Sequence, residues 1–243
     1  MGSDIAEQLL LGVGSSVITG TALWSGQRAR ATLRARSRRR FLGLVGPWRH
    51  RCLLVVGRNP RQPNSINAHD VAAMLEIAAL VRPTGAEPLP IAPQEVLRVE
   101  GDTVEFCLTG RDANPRTQAH VERWLPGLMI RAFPEGDVWT VGDRQFTRDR
   151  GKLEYVVLAR ICRPDHPHLF LIAGQSGVTN RAAARFLVER LTQLRRRYSD
   201  DRSFCLLLRV IAPATYGYRE IEEVADITEL AKAPVTSAEQ PAR

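Results

Sequence analysis

Leu169-Phe170-Leu171-Ile172-Ala173-Gly174-Gln175-Ser176-Gly177-Val178-Thr179-Asn180 decides the fold of this chain. The apolar run is too short for an ordinary helix, and it lacks the polar alternation of a strand with one wet face. It describes a strand buried on both sides, as in a parallel sheet covered by helices. The turn at Gly174 leads into a helical pattern from about Asn180 to Tyr198. A strand feeding a helix through a short polar turn is half of a strand–helix–strand crossover.

The same grammar recurs upstream. Cys52-Leu53-Leu54-Val55-Val56 reads as a buried strand stopped by Gly57. Val71, Met74, Leu75, Ala78 and Val81 then mark one face of a helix, with Asn64 or Asn67 as cap and Pro83 beyond its end. Val104 to Leu108 is a second strand, stopped by Gly110, and a helix from about Thr117 to Leu125 ends at Pro126-Gly127. Trp139 to Thr147 reads as a hairpin around Gly142-Asp143. Leu153 to Cys162 is a long strand, Pro164 to Pro167 a turn, Ser203 to Ile211 a last long strand, and Glu222 to Thr228 a short edge strand. The expected fold is α/β: a Rossmann-like three-layer domain over residues 50–231, with a mostly parallel sheet made mixed by an inserted β-hairpin. The polar tail, 232–243, is expected to be disordered.

The N-terminus has a different character. Ile5 to Trp24 carries one charge, Glu7, and is followed by Arg28, Arg30, Arg34, Arg36, Arg38, Arg39 and Arg40. A helix of about 20 residues spans about 30 Å, the hydrocarbon thickness of a bilayer. A signal peptide wants its basic residues before the apolar run, and an interfacial helix carries charge through it. Neither pattern fits, so residues 1–27 are expected to form a transmembrane helix, followed by a basic juxtamembrane linker over 28–49. The arginines predict an outside N-terminus and a cytoplasmic domain in the cell membrane. Gly12, Ser16 and Gly20 share one face of that helix and suit a homodimer.

Charge and cysteine usage narrow the function classes. The net charge is +8 and the pI about 10.0, but residues 1–50 hold eight arginines against Asp4 and Glu7, leaving +2 for everything after them. No stretch interleaves basic and aromatic residues as a single-strand groove does, so nucleic acid is not an expected partner. Cys52, Cys107, Cys162 and Cys205 each sit in an apolar run without ligand spacing, so buried thiols are expected and no metal site is.

Three strand-to-helix loops carry the candidate site. They contribute Gly57, Arg58 and Asn59; Gly110, Arg111, Asn114, Arg116 and Thr117; and Gly174, Gln175, Ser176, Gly177, Thr179, Asn180 and Arg181. In open α/β sheets ligands sit beyond the carboxyl ends of the strands. Glycines let backbone approach a ligand, helix N-termini attract anions, and the four arginines would clamp a phosphate. None of the loops is a Walker loop or a dinucleotide fingerprint, and glycine, asparagine and serine also serve plain capping.

Catalytic signals are weak. Gly174-Gln175-Ser176-Gly177 has the setting of a nucleophile elbow, but position 178 is Val and no His follows His168. Glu154 or Glu105 could serve cleavage of a glycosidic bond, but on periodicity alone they read as solvated strand residues or salt-bridge partners. His166-Pro167-His168 reads as a turn rather than a ligand pair.

The arginine run, Asn114-Pro115-Arg116-Thr117 and the loop-helix Gly174 to Leu187 resemble a family of single-pass membrane-anchored bacterial proteins with a cytoplasmic Rossmann-like domain. That family has no established activity, so the resemblance implies placement and fold and no catalytic residue. The layout also resembles nucleotide-sensing or nucleotide-cleaving domains of bacterial conflict systems, without their catalytic motif. The expected function is a membrane-anchored cytoplasmic binding or sensor module for a nucleotide or other anionic ligand. The alternatives are a nucleotide-processing enzyme and a structural membrane protein with a protein-interaction domain. No cofactor is identified.

Overall fold

A computed structural model describes residues 28, 32–59, 62, 64–99, 102–133, 136–163 and 165–234. The spanning segment expected over residues 1–27, with its Gly12, Ser16 and Gly20 face, lies outside the described residues. So does the tail beyond residue 234. Among the described residues no helix is long and apolar enough to cross a membrane.

The main sheet has seven strands: β1 (Arg51–Val56), β2 (Glu87–Ile91), β3 (Val104–Leu108), β7 (Leu153–Arg163), β8 (His166–Gly174), β9 (Phe204–Ile211) and β10 (Ile221–Asp226). Their order is β10-β9-β7-β8-β3-β1-β2. The neighbours β2, β1, β3 and β8 are parallel, β7 runs against both β8 and β9, and β10 runs against β9. The chain is therefore an α/β domain with a mostly parallel central sheet. The mixed character comes from β7 and β10, not from the hairpin. That hairpin, β5 (Gly136–Val141) and β6 (Arg144–Thr147), joins β4 (Leu128–Phe133) in a separate three-stranded sheet.

Two apolar layers sandwich the main sheet. On one face α2 (Ala68–Val81) and α4 (Gly177–Arg197) pack together over Leu54, Phe106, Ile172 and Leu206. On the other, α3 (Pro115–Trp124), the short helix Thr228–Lys232 and the small sheet cover Leu53, Val55, Leu171 and Leu207. Alternate residues of β1 thus serve opposite cores, which is why that strand reads as a continuous apolar run. Three cysteines, Cys52, Cys107 and Cys205, are buried free thiols, and Cys162 is only partly covered.

The residues before β1 are more ordered than a linker. Helix α1 covers residues 32–42, and its last turn delivers Phe41, Leu42 and Leu44 into the first core, each at most 1% exposed. Phe41 lies against Phe170 and Phe204. Beneath it sits Arg160, fully buried, which donates to the carbonyls of Phe41 (3.0 Å), Ser199 (2.5 Å) and Arg202 (2.5 Å). Its guanidinium lies 4.2 Å from the Phe41 ring centre, a cation–π contact out of water. The expected basic linker is therefore part of the domain from about Arg38 onward, where Arg38 and Arg39 bond the carbonyls of Leu80 and Thr84.

Candidate functional site

β1, β3 and β8 run parallel and end at the same edge of the sheet. The chain leaves β1 and β8 toward α2 and α4 on one face, but leaves β3 toward α3 on the other. Such a divergence opens a crevice between the strand ends. A cavity of ≈ 190 Å³ occupies it, walled by all three expected loops and by the first turn of α2.

Glycines permit the loops to meet. A side chain at Gly57 would place its Cβ 2.2 Å from the Ala113 carbonyl oxygen, and one at Gly110 would come within 2.9 Å of the Gly174 oxygen. The Gly57 N–H donates to Thr109 Oγ1 (3.2 Å). Thr109 itself is buried at φ 91°, a conformation L residues rarely adopt. Strain of this kind persists only where surrounding structure holds it, and it clusters at functional sites.

The third loop is organised by the start of α4. Ser176 caps the helix in a reciprocal pair with Thr179: each backbone N–H donates to the other's hydroxyl, at 3.1 and 3.3 Å. Asn180, 2% exposed, accepts from the Gly174 N–H (2.8 Å) and donates to Asp70 Oδ1 (2.7 Å). That bond ties α4 to the first turn of α2, whose cap is Asn67. Asp70 is 7% exposed at the cleft wall. Burial pushes its carboxyl up to about 6, against the opposing pull of the Asn180 bond. Gln175 is tied to β7, its N–H and side-chain carbonyl both bonded to Tyr155.

The arginine clamp is not assembled. Arg58 lines the cleft and is exposed. Arg111 turns away to the Ile130 carbonyl (2.7 Å), Arg116 grips Glu105 through two bonds (2.5 and 2.7 Å), and Arg181 stacks 3.7 Å from the Tyr218 ring centre. Each has a closer partner than the cleft offers, so three of the four expected phosphate contacts fall away. Asn114 is architectural as well. Fully buried, it caps α3 through Arg116 and Thr117 N–H groups while donating to the carbonyls of Val55 and Leu108. Thr117 is buried under α3 rather than open to the cleft. Asn59, Gly174, Gln175, Ser176, Gly177 and Asn180 do line the cleft, and Thr179 sits behind them.

Of the carboxylates considered for catalysis, Glu105 lies elsewhere and Glu154 stands behind the cleft wall, bonded to Ser176. Glu105 faces α3, bonded to Arg116, to His120 (3.3 Å) and to the Cys107 thiol (2.8 Å). Burial would raise its carboxyl, but the bonds from His120, Arg116 and Cys107 outweigh that and hold it down at about 2. A group that acidic is a structural anion, not a proton donor at neutral pH. The ligand atoms of Glu105, Cys107 and His120 lie within 4.8 Å of one another, so they could hold a metal ion. A cation there would have to displace Arg116, which already neutralises the carboxylate. Glu154 accepts from Ser176 Oγ, from Arg148 (3.0 Å) and from the Gly151 N–H (3.2 Å). Ser176 is thus a cap and a tether, and the elbow reading fails on geometry as well as on the missing His. His166 and His168 belong to β8, so the turn before them is shorter than expected.

Five cleft residues escaped the sequence reading as ligand contacts: Asn67, Asp70, Thr109, Asp112 and Ala113. Asn67 carried a signal as a helix cap. Asp70 carried none, because an acidic residue in a first helical turn is ordinary. Compared with protein-family models and with curated proteins, the chain matches none.

Proposed function

We propose that the domain is a binding or sensor module for a nucleotide or similar anionic small ligand, held in the three-loop cleft. We also propose that residues 1–27 anchor it to the cell membrane with the domain in the cytoplasm. The convergence of the β1, β3 and β8 loops around one crevice carries the ligand reading. The first turns of α2 and α4 both open on it, and helix N-termini favour negative charge. Arg58 supplies the one cleft-facing guanidinium among the four expected, and Asp70 and Asp112 suit sugar hydroxyls as acceptors. Thermal unfolding of the purified full-length protein across nucleoside phosphates tests this. Ligand at a hundred times its dissociation constant stabilises by about 2.7 kcal/mol. No shift with any phosphorylated ligand refutes the proposal.

One observation favours a second reading. The Asp70 carboxyl, buried in the cleft wall and pushed up to about 6, is suited to proton transfer near neutral pH. The cleft would then cleave a bond in its nucleotide, such as a glycosidic bond. Product analysis after incubation with NAD and nucleoside phosphates separates an enzyme from a sensor, because a sensor returns them intact.

A further inference from the structure

On the opposite flank of β1 lies a second, larger cavity of ≈ 460 Å³. Val56 at the end of β1, Ile91 and Ala92 at the end of β2, Met74 from α2 and Ile66 form its apolar wall. Ile66 is 44% exposed, an apolar side chain left open at the mouth. Polar groups punctuate it at Asn64 and Glu95. Arg58 walls both this cavity and the three-loop cleft. The cleft alone is smaller than the roughly 300–1,000 Å³ of most small-molecule sites, so a nucleotide seated in it needs further room, which the adjoining larger cavity offers.

We infer that the ligand is bipartite, a nucleoside phosphate whose base lies in the larger cavity while its sugar and phosphate lie in the three-loop cleft, with Arg58 between them. This rests on the proposed reading of the cleft. The chemistry of the walls selects a flat ring with polar edges. Aliphatic Ile66 and Ile91 offer faces to stack on, and the Met74 thioether makes favourable contacts with aromatic rings. Asn64 and Glu95 suit donors and acceptors on a ring edge. A plain alkyl chain would leave those two and Arg58 unmatched, at a desolvation cost.

Calorimetric titration of the full-length protein with the four ribonucleoside monophosphates, ribose 5-phosphate and inorganic phosphate tests the inference. Burying a ring in the second cavity should make the best nucleotide bind about tenfold or more tighter than ribose 5-phosphate. Ala92→Trp, which fills the cavity, should erase that advantage and leave ribose 5-phosphate binding unchanged. Met74→Ala, a milder change that keeps the fold, should reduce it. Equal affinity for nucleotide and ribose 5-phosphate overturns the bipartite ligand and leaves the cleft standing. An advantage that survives both substitutions places the base elsewhere and also overturns it. If none of these probes binds, the reading of the cleft falls together with the inference.

Discussion

Asp70→Asn should make the protein more stable above pH 6 and less able to hold its ligand. The folded carboxyl titrates at about 6 against an ordinary value of 3.8, because burial disfavours its ionised form. A carboxyl raised on folding contributes stability that is complete below the unfolded value and is lost as pH rises to the folded one. Ionised Asp70 therefore costs the native state free energy at neutral pH. Two pK units correspond to about 3 kcal/mol. The Asn180 amide, which donates to Oδ1 at 2.7 Å, would donate more weakly to an uncharged asparagine, so a net gain of about 1–3 kcal/mol is expected. Denaturant unfolding of both proteins between pH 4 and pH 8 is the assay. The gain should appear between pH 4 and 6 and stay level above. A variant less stable at pH 8, or a difference that ignores pH, would sink the reasoning. If the variant is more stable and still binds ligand unchanged, the cost of Asp70 has no function at the cleft.

Further expectations follow from other contacts. Arg160→Met should cost about 3–5 kcal/mol in denaturant melts, because the carbonyls of Phe41, Ser199 and Arg202 lose the donor that ties them together; a loss below about 1 kcal/mol would refute this. Arg58→Ala should weaken the best nucleotide in titrations, whereas Arg181→Ala should not, since Arg181 already lies against Tyr218. Deleting residues 1–31 should leave a folded domain by circular dichroism, while deleting 1–45 should destabilise it beyond the roughly 3–5 kcal/mol of a single large core truncation, because Phe41, Leu42 and Leu44 go with it. Protease should spare the domain in intact cells and digest it in inverted vesicles, if the proposed topology holds; the reverse pattern would overturn it.

Strands buried on both faces announce themselves as unbroken apolar runs, so β1, β3, β7, β8 and β9 were all legible. Their directions were legible only in part. The short turn at Pro164 to Pro167 leaves no room for a crossover and so sets β7 against β8; elsewhere an apolar run has the same composition whichever way it points. β2 escaped because Pro88 and Pro90 look like strand breakers; they are tolerated on an edge strand, where one flank needs no ladder donors. The loops at the strand ends were legible from their glycines. The destinations of the arginines were not, since Glu105, the Ile130 carbonyl and Tyr218 are remote in sequence from the side chains they capture. α1 does not stand out in the sequence because arginine dominates its surface, and the few apolar residues that lock it, Phe41, Leu42 and Leu44, come at or just past its end.

The seating of Phe41 over Arg160 has a mechanical consequence. α1 enters at the edge where the parallel strands begin: Phe204 opens β9, and Gly43 lies against His168 near the start of β8. The cleft lies at the other edge, about 20 Å away for a strand of six residues. The sheet is thus a rigid spacer, and α1 is a strut clamped to its lower end. An anchor of the proposed kind, reaching the domain through α1, would leave the cleft on the side away from the bilayer. The ligand would then arrive from the aqueous side, and a twist of the strut would be felt at the strand ends through the core they share.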